Sequence, residues 1–243
     1  MIKKPSTKIS NQEIENKQKS FIALAIHKLK TPISSMKLSL EMLLEGDFGE
    51  LADDQKKIIE RIYQRNNALI DLVNDLFELA KVSKKNSNKS VSINIEELIQ
   101  SVIDYEQDEL KKRAIKVNFE KNKTDYPKLI ADKEGIFLAI QNIVDNAIKY
   151  SNIGGEVVIY LNINYEKFEL VIKDCGIGIR DLDKENIFSE FFRGENAKEM
   201  HPMGSGLGLH IAKTIIEGHG GKITFDSKEH HGTTFYITLP VKP

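Results

Sequence analysis

The stretch Gln141-Asn142-Ile143-Val144-Asp145-Asn146-Ala147-Ile148-Lys149-Tyr150 decides how this chain is read. Asn142, Asn146, Lys149 and Tyr150 fall at i, i+4, i+7 and i+8, which is one face of a helix. That face offers two amide oxygens for a hard cation, one ammonium for phosphate and one aromatic ring for a base. Taken alone, it reads equally well as a polar helix surface with Tyr150 partly in the core.

Three segments further along point the same way. Asp174-Cys175-Gly176-Ile177-Gly178-Ile179 ends an apolar run, Phe168 to Ile172. A carboxylate at a strand end can accept a hydrogen bond from an adenine amino group, and glycines let the backbone approach a ligand closely. Gly204-Ser205-Gly206-Leu207-Gly208-Leu209 stands directly before a helical pattern, where glycine-rich N–H groups suit phosphate oxygens. It is not a P-loop, because no Gly-Lys-Ser/Thr follows, and no βαβ unit with a ribose-binding acid surrounds it. Between these two segments, Ile187-Phe188-Ser189-Glu190-Phe191-Phe192-Arg193 precedes the polar run Gly194 to Met203, the pattern of an anchored lid. Each segment is ambiguous singly; all four in this order point to a nucleotide pocket.

Around these segments the second half alternates helical and strand patterns. Helices are predicted over Ile95–Lys112, Lys133–Lys149 and Leu207–His219. Strands are predicted at Ile115–Glu120, Lys128–Ala131, Glu156–Asn164, Lys167–Asp174, Lys222–Ser227 and Thr233–Leu239, with a tight turn near Asn164-Tyr165-Glu166. Helices grouped against a mixed sheet give an α+β sandwich.

The first half differs. From Phe21 to Leu44, apolar residues fall at Ile22, Ile26, Leu29, Ile33, Met36, Leu40 and Leu43, alternating steps of four and three. That is the seam of a helical bundle. Pro32 should bend this helix. Gly46-Asp47-Phe48-Gly49-Glu50 breaks the pattern, and a second seam follows at Ile58, Ile62, Leu69, Leu72, Leu76 and Leu79, interrupted by Arg65. One helical hairpin cannot cover its own stripe well, whereas two make a four-helix bundle, so a homodimer through residues 21–82 is expected, the alternative being that the stripe packs on the second half of the same chain. The predicted division is therefore a polar lead-in over 1–20, a dimerising hairpin over 21–82, a junction over 83–90 and a nucleotide domain over 91–243.

Bulk composition restricts the alternatives. The 243 residues carry 35 Lys and Arg against 36 Asp and Glu, a net charge of -1 that argues for neither nucleic acid nor an anionic membrane. Cys175 is the single cysteine, so no internal disulfide and no multi-cysteine metal cage can form. No stretch is apolar enough for a membrane-spanning helix, and a cytoplasmic setting is expected, either for this chain by itself or as the cytoplasmic part of a longer, membrane-bound protein.

The four segments resemble the N, G1, F and G2 boxes of sensor histidine kinases, within the wider gyrase–Hsp90–histidine kinase–MutL ATPase superfamily. The resemblance runs from about Phe21 to Leu239. It implies a Bergerat-type ATP-binding domain behind a dimeric four-helix bundle. It implies that Asn146 holds Mg²⁺ with Asn142 beside it, that Lys149 meets phosphate, and that Tyr150 lies against the nucleotide. Asp174 would read adenine, with Thr233 in support. Gly176, Gly178, Gly204, Gly206, Leu207 and Gly208 would shape pocket and lid, and Arg193 would help neutralise charge. Phe21-Ile22-Ala23-Leu24-Ala25-Ile26-His27-Lys28-Leu29-Lys30-Thr31-Pro32 resembles the family's phosphoacceptor box. His27 would take the γ-phosphate of ATP and pass it to an aspartate on a response-regulator receiver domain docked from Met36 towards Leu44. Thr31, one turn on, would position hydrolytic water. His27 follows a seam residue, so it is expected to flank the buried stripe. Two departures stand out: Ile26 replaces a common serine, and Lys28 replaces an acidic residue that accepts the imidazole proton. A cation cannot accept that proton, although the Lys28 ammonium can still attract the γ-phosphate. The alternative reading is therefore a family member working mainly as a phosphatase or ATP-binding scaffold.

Overall fold

The computed structural model describes residues 11–82, 90–122, 128–163 and 166–241, and gives only the backbone for residues 11–23, His27 and Val82. The chain divides into two compact units, 1–83 and 84–243.

The first unit is a helical hairpin of α1 (Asn11–Glu45) and α2 (Asp53–Val82). Helix α1 begins well before the predicted Phe21, so the second half of the polar lead-in belongs to it; residues 1–10 lie outside the described residues. Pro32 is carried inside the helix rather than ending it. Gly46 and Gly49 adopt φ of +87° and +105°, left-handed backbone that glycine takes without a Cβ penalty, so the reversal falls where the breaker cluster predicts it. Ile26, Ile33 and Val73 are buried, with Ile70, Leu76 and Phe77 against them. Asn66 Nδ2 donates to the Ile33 carbonyl at 3.1 Å, and Tyr63 donates to Glu41 at 2.8 Å, which pins α2 against α1. The predicted seam is only partly covered: Leu29, Met36, Ile58, Ile62 and Leu69 remain 40–57% exposed within one chain.

The second unit is a two-layer α+β sandwich. Its elements are β1 (Ser90–Ile93), α3 (Ile95–Tyr105), α4 (Gln107–Arg113), β2 (Lys116–Lys121), β3 (Leu129–Asp132), α5 (Lys133–Tyr150), β4 (Glu156–Ile163), β5 (Lys167–Asp174), α6 (Glu195–Met200), α7 (Gly208–Gly218), β6 (Lys222–Ser227) and β7 (Thr233–Pro240). Strands order as β2-β4-β5-β7-β6, with β2 parallel to β4 and the other pairs antiparallel; β1 and β3 form a separate two-stranded ribbon. One sheet face alternates into the core, with Ile159, Leu161, Leu170, Ile172, Phe235 and Ile237 buried. Helices α3, α5 and α7 supply the facing layer through Ile99, Val102, Ile140, Ile143, Ile211 and Ile215. Asn94 caps α3 and Asp132 caps α5, each accepting a backbone N–H two residues on.

Three local expectations are corrected. The single helix predicted over Ile95–Lys112 is two, because the chain turns at Glu106, which ends α3 and starts α4. Glu106 is buried, and Gln141 Nε2 donates to it at 2.8 Å; that tertiary contact prevails over continuous helical propensity. Strand β1 is not expected from the sequence, because Ser90-Val91-Ser92-Ile93 follows directly on the polar junction; β3 supplies its partners. The polar run after Phe192 contains the helix α6. Residues 83–89 of the expected junction and residues 164–165 of the expected turn lie outside the described residues, while Ser90 already pairs with Asp132.

Candidate functional site

Three loops meet at the C-terminal part of α5. Tyr150 and Ser151 end that helix against the loop after β5: Ser151 bridges Gly176, and the Ile177 N–H donates to the Tyr150 carbonyl at 3.1 Å. Gly176 is obligatory there, because a Cβ would stand 1.9 Å from that carbonyl oxygen. At the other side, a Cβ on Gly208 would fall 2.7 Å from Asn142 Oδ1, so the glycine-rich loop lies directly on the amide face of α5.

Asp174 closes β5 in the interior, only 4% exposed. Its Oδ1 accepts from the Gly176 N–H at 2.9 Å and the Thr233 N–H at 3.1 Å. Burial pushes its pKa up to about 6, against the lowering effect of those two donors. Gly232 takes φ +89° with its Cα packed on the Asp174 carbonyl, where a Cβ would sit at 2.1 Å. Ser227 ties this floor together: its Oγ donates to the Gly232 carbonyl at 2.9 Å, accepts from the Ile179 N–H at 2.9 Å and lies 2.9 Å from Thr233 Oγ1.

The amide face is prepared for oxygen ligation. Asn142 Nδ2 donates to the Leu138 carbonyl and Asn146 Nδ2 to the Asn142 carbonyl, both at 2.9 Å. With each amide nitrogen engaged, the Oδ1 atoms are what the two side chains can give a cation. Among the described residues no three His, Cys, Asp or Glu side chains cluster as a metal cage. A few amide oxygens supplemented by phosphate and water suit Mg²⁺, which keeps most of its shell. Lys149 Nζ pairs with Asp145 at 2.8 Å on the same helix.

The lid is an organised unit. Leu207, fully buried, anchors its far end at the start of α7. Gly206, at φ +75°, lets the chain pass the backbone of Phe191 and Phe192, where a Cβ would come within 2.8 Å. Phe188 packs edge-on against Phe225 at 5.9 Å, anchoring the near end, whereas Phe191 is exposed. The Arg193 guanidinium donates to the carbonyls of Ala197, Pro202 and His201, capping α6, and lies under Gly204. Asn196 donates to the Gly178 carbonyl at 3.0 Å, and Arg180 pairs with Asp183 at 2.8 Å beneath Gly194. His201 Nε2 donates to the Lys149 carbonyl at 2.7 Å and its ring meets Tyr150 edge-on at 5.6 Å. Its pKa lies below the ordinary histidine value, first because of burial and then because of the Arg113 and Lys149 cations.

Asn142, Asn146, Lys149, Tyr150, Asp174, Gly176, Gly178, Thr233, Arg193, Gly204, Gly206, Leu207 and Gly208 therefore stand in one region of the second unit. Sequence reasoning missed Ser227, Asn196, Arg113 and His201, since isolated polar residues in loops carry no periodic signal. On the first unit, His27 is within α1 with its side chain outside the described set, so the expected flank position has no described counterpart; Lys28 and Thr31 are exposed.

Comparison with known proteins follows the same division. Residues 131–243 match the family described as histidine kinase-, DNA gyrase B- and HSP90-like ATPase, and residues 17–85 match the His Kinase A (phospho-acceptor) domain. Sensor histidine kinase WalK of Bacillus subtilis is 35% identical over 95% of this chain, which spans 38% of that protein. Sensor protein kinase WalK of Staphylococcus aureus is 33% identical over 94% of this chain, which spans 55% of it. Among solved structures, the catalytic domain of histidine kinase ThkA is 32% identical with a TM-score of 0.55, covering 63% of this chain and 99% of that one. Full-length ShkA in complex with AMPPNP shares the fold at 19% identity and a TM-score of 0.69, over 92% of this chain and 46% of that one.

Proposed function

This chain belongs to the sensor histidine kinases, and from that membership we propose that it transfers the γ-phosphate of ATP to His27 and then to an aspartate of a response-regulator receiver domain. The observation that carries the reading is the convergence of Asp174, the Asn142–Asn146 amide face and the Gly204–Gly208 loop around α5, in a chain that also bears His27 before Thr31-Pro32.

Each group has a stated task. Asp174 accepts the adenine amino hydrogen bond, held in place by the Gly176 and Thr233 N–H groups. Asn146, with Asn142, would hold Mg²⁺, which would neutralise charge on the phosphates. Lys149 adds an ammonium and Tyr150 an apolar ring face. The amides of Gly206 and Gly208 receive phosphate oxygens at the start of α7, while Gly204, whose N–H donates to the His201 carbonyl, and Leu207, whose N–H donates to Ser205 Oγ, shape the loop. Gly178 lets the floor loop turn. Arg193 holds the lid's carbonyls and so shapes the cover. Phosphoryl transfer asks mainly for positioning and charge neutralisation, which this set supplies. The neutral imidazole of His27 is the nucleophile.

The exposed stripe of Leu29, Met36, Ile58, Ile62 and Leu69 supports a homodimer through residues 21–82. Receiver docking falls on the lower bundle from Met36 towards Leu44. Among the described residues no helix is long and apolar enough to cross a membrane; use of ATP and of a receiver partner supports a cytoplasmic setting for these two units, alone or as part of a longer, membrane-bound sensor.

Lys28, exposed directly after His27, favours a second balance of activities. With no carboxylate to take the imidazole proton, phosphorylation of His27 is slow, and hydrolysis of the phosphorylated receiver, served by Thr31, gains weight. Incubation with γ-labelled ATP tests both parts. Acid-labile, base-stable label that disappears in His27→Gln supports the kinase reading, and its absence from the wild type refutes it. A Lys28→Glu rate equal to wild type refutes the part assigned to Lys28.

A further inference from the structure

We propose that His201 is the latch of the nucleotide lid: its imidazole N–H on the Lys149 carbonyl and its ring edge against Tyr150 tie the lid to the C-terminal end of α5 and so set the rate at which nucleotide is exchanged. This rests on the ATP-binding reading above.

The end of α5 explains why such a bond forms. The last carbonyls of a helix have no partner within the helix. Here they are met by three different elements. The Lys149 carbonyl receives His201 Nε2 from the lid at 2.7 Å. The Tyr150 carbonyl receives the Ile177 N–H at 3.1 Å. The Ser151 carbonyl receives Arg113 Nη2 from α4 at 2.9 Å. The first of these partners is carried by the lid. The Lys149 oxygen is a backbone acceptor and cannot donate, so Nε2 carries the hydrogen whether the ring is neutral or charged. The ring also meets Tyr150 nearly perpendicularly at 5.6 Å, a favoured aromatic geometry. Arg193 binds the His201 carbonyl from inside the lid, so the imidazole is fixed to the lid's own scaffold and pulls the whole segment with it.

The latch consumes a backbone oxygen and a ring edge. It competes for neither the Asn142 nor the Asn146 amide oxygen, so the tie can persist with nucleotide bound. A tie present in both states changes barriers rather than equilibrium. Loss of His201 therefore speeds nucleotide association and release together and changes affinity little. The groups facing the ring are Lys149 and Tyr150 of α5, Arg113 and Glu109 of α4, and Arg193 of the lid.

Stopped-flow exchange of a fluorescent ADP on the full chain with Mg²⁺ tests this. His201→Ala should raise both rate constants about tenfold, the worth of one partly buried hydrogen bond and a ring contact. His201→Gln, which keeps an N–H donor, should recover most of the difference. Unaltered rates in His201→Ala overturn the latch. So does weaker affinity without faster association, which would mark His201 as a nucleotide ligand or a fold-supporting residue. A wild-type chain that binds no nucleotide refutes the ATP reading instead, a result that is distinguishable from both.

Discussion

Asp174 shows what one residue is made to do by its surroundings. A carboxylate at a strand end is unremarkable in sequence, yet folding buries it and raises its pKa from 3.8 to about 6. An acid raised in this way binds its proton more tightly folded than unfolded, so the stability that protonation confers is present below about pH 4 and is lost as the pH climbs through 6. Nucleotide binding runs the other way, since the adenine amino group needs an acceptor. Affinity for Mg-ATP, measured by calorimetry, should hold above about pH 6 and fall roughly tenfold per unit below it. In Asp174→Asn that dependence should vanish and affinity at neutral pH should drop by about two orders of magnitude, the scale of a lost charge-assisted hydrogen bond. Gly176 gives the complementary test. Because a Cβ would lie 1.9 Å from the Tyr150 oxygen, Gly176→Ala should abolish nucleotide binding and lower the melting temperature. The four-box pattern singled out Asp174 and Gly176, but neither the burial nor the close approach could be read from the residues themselves.

At the scale of elements, the hairpin and the sheet contrast. The α1–α2 seam was legible from its steps of three and four, and Ile26 and Ile33 are indeed buried. The division of that seam into an intrachain part and an exposed part was not legible, because one periodic stripe serves two contacts. Ile33→Ala should cost about 3 kcal/mol by denaturant melting, as expected for a truncated buried aliphatic side chain. Leu69→Lys, at an exposed position, should instead leave the hairpin's helicity intact and shift the chain towards monomer in light scattering. In the second unit the alternating strands were readable by their period of two. The Glu106 break was hidden because its cause is Gln141, a partner 35 positions away.

The whole molecule is two units with two cores. Units with separate cores unfold separately unless their interface is large. Scanning calorimetry should therefore show two transitions, of which Ile33→Ala lowers one only. A fragment covering residues 90–243 should bind Mg-ATP within about twofold of the full chain and incorporate no label, because the nucleotide groups belong to one unit and His27 to the other. A fragment that loses binding would show that the pocket borrows from the hairpin.

The sequence by itself determined what depends on neighbours along the chain. Helix faces, strand alternation, the breaker at Gly46–Glu50 and the order of the four nucleotide segments are all repeats or spacings of a few residues. Only the tertiary structure decided which distant groups touch. Arg113 reaches the Ser151 carbonyl across 38 positions, and His201 reaches the Lys149 carbonyl across 52. Such pairs follow from orphan carbonyls at a helix end. Hydrogen bonds of that kind recognise a backbone atom, which every residue has, so no residue type announces them in advance.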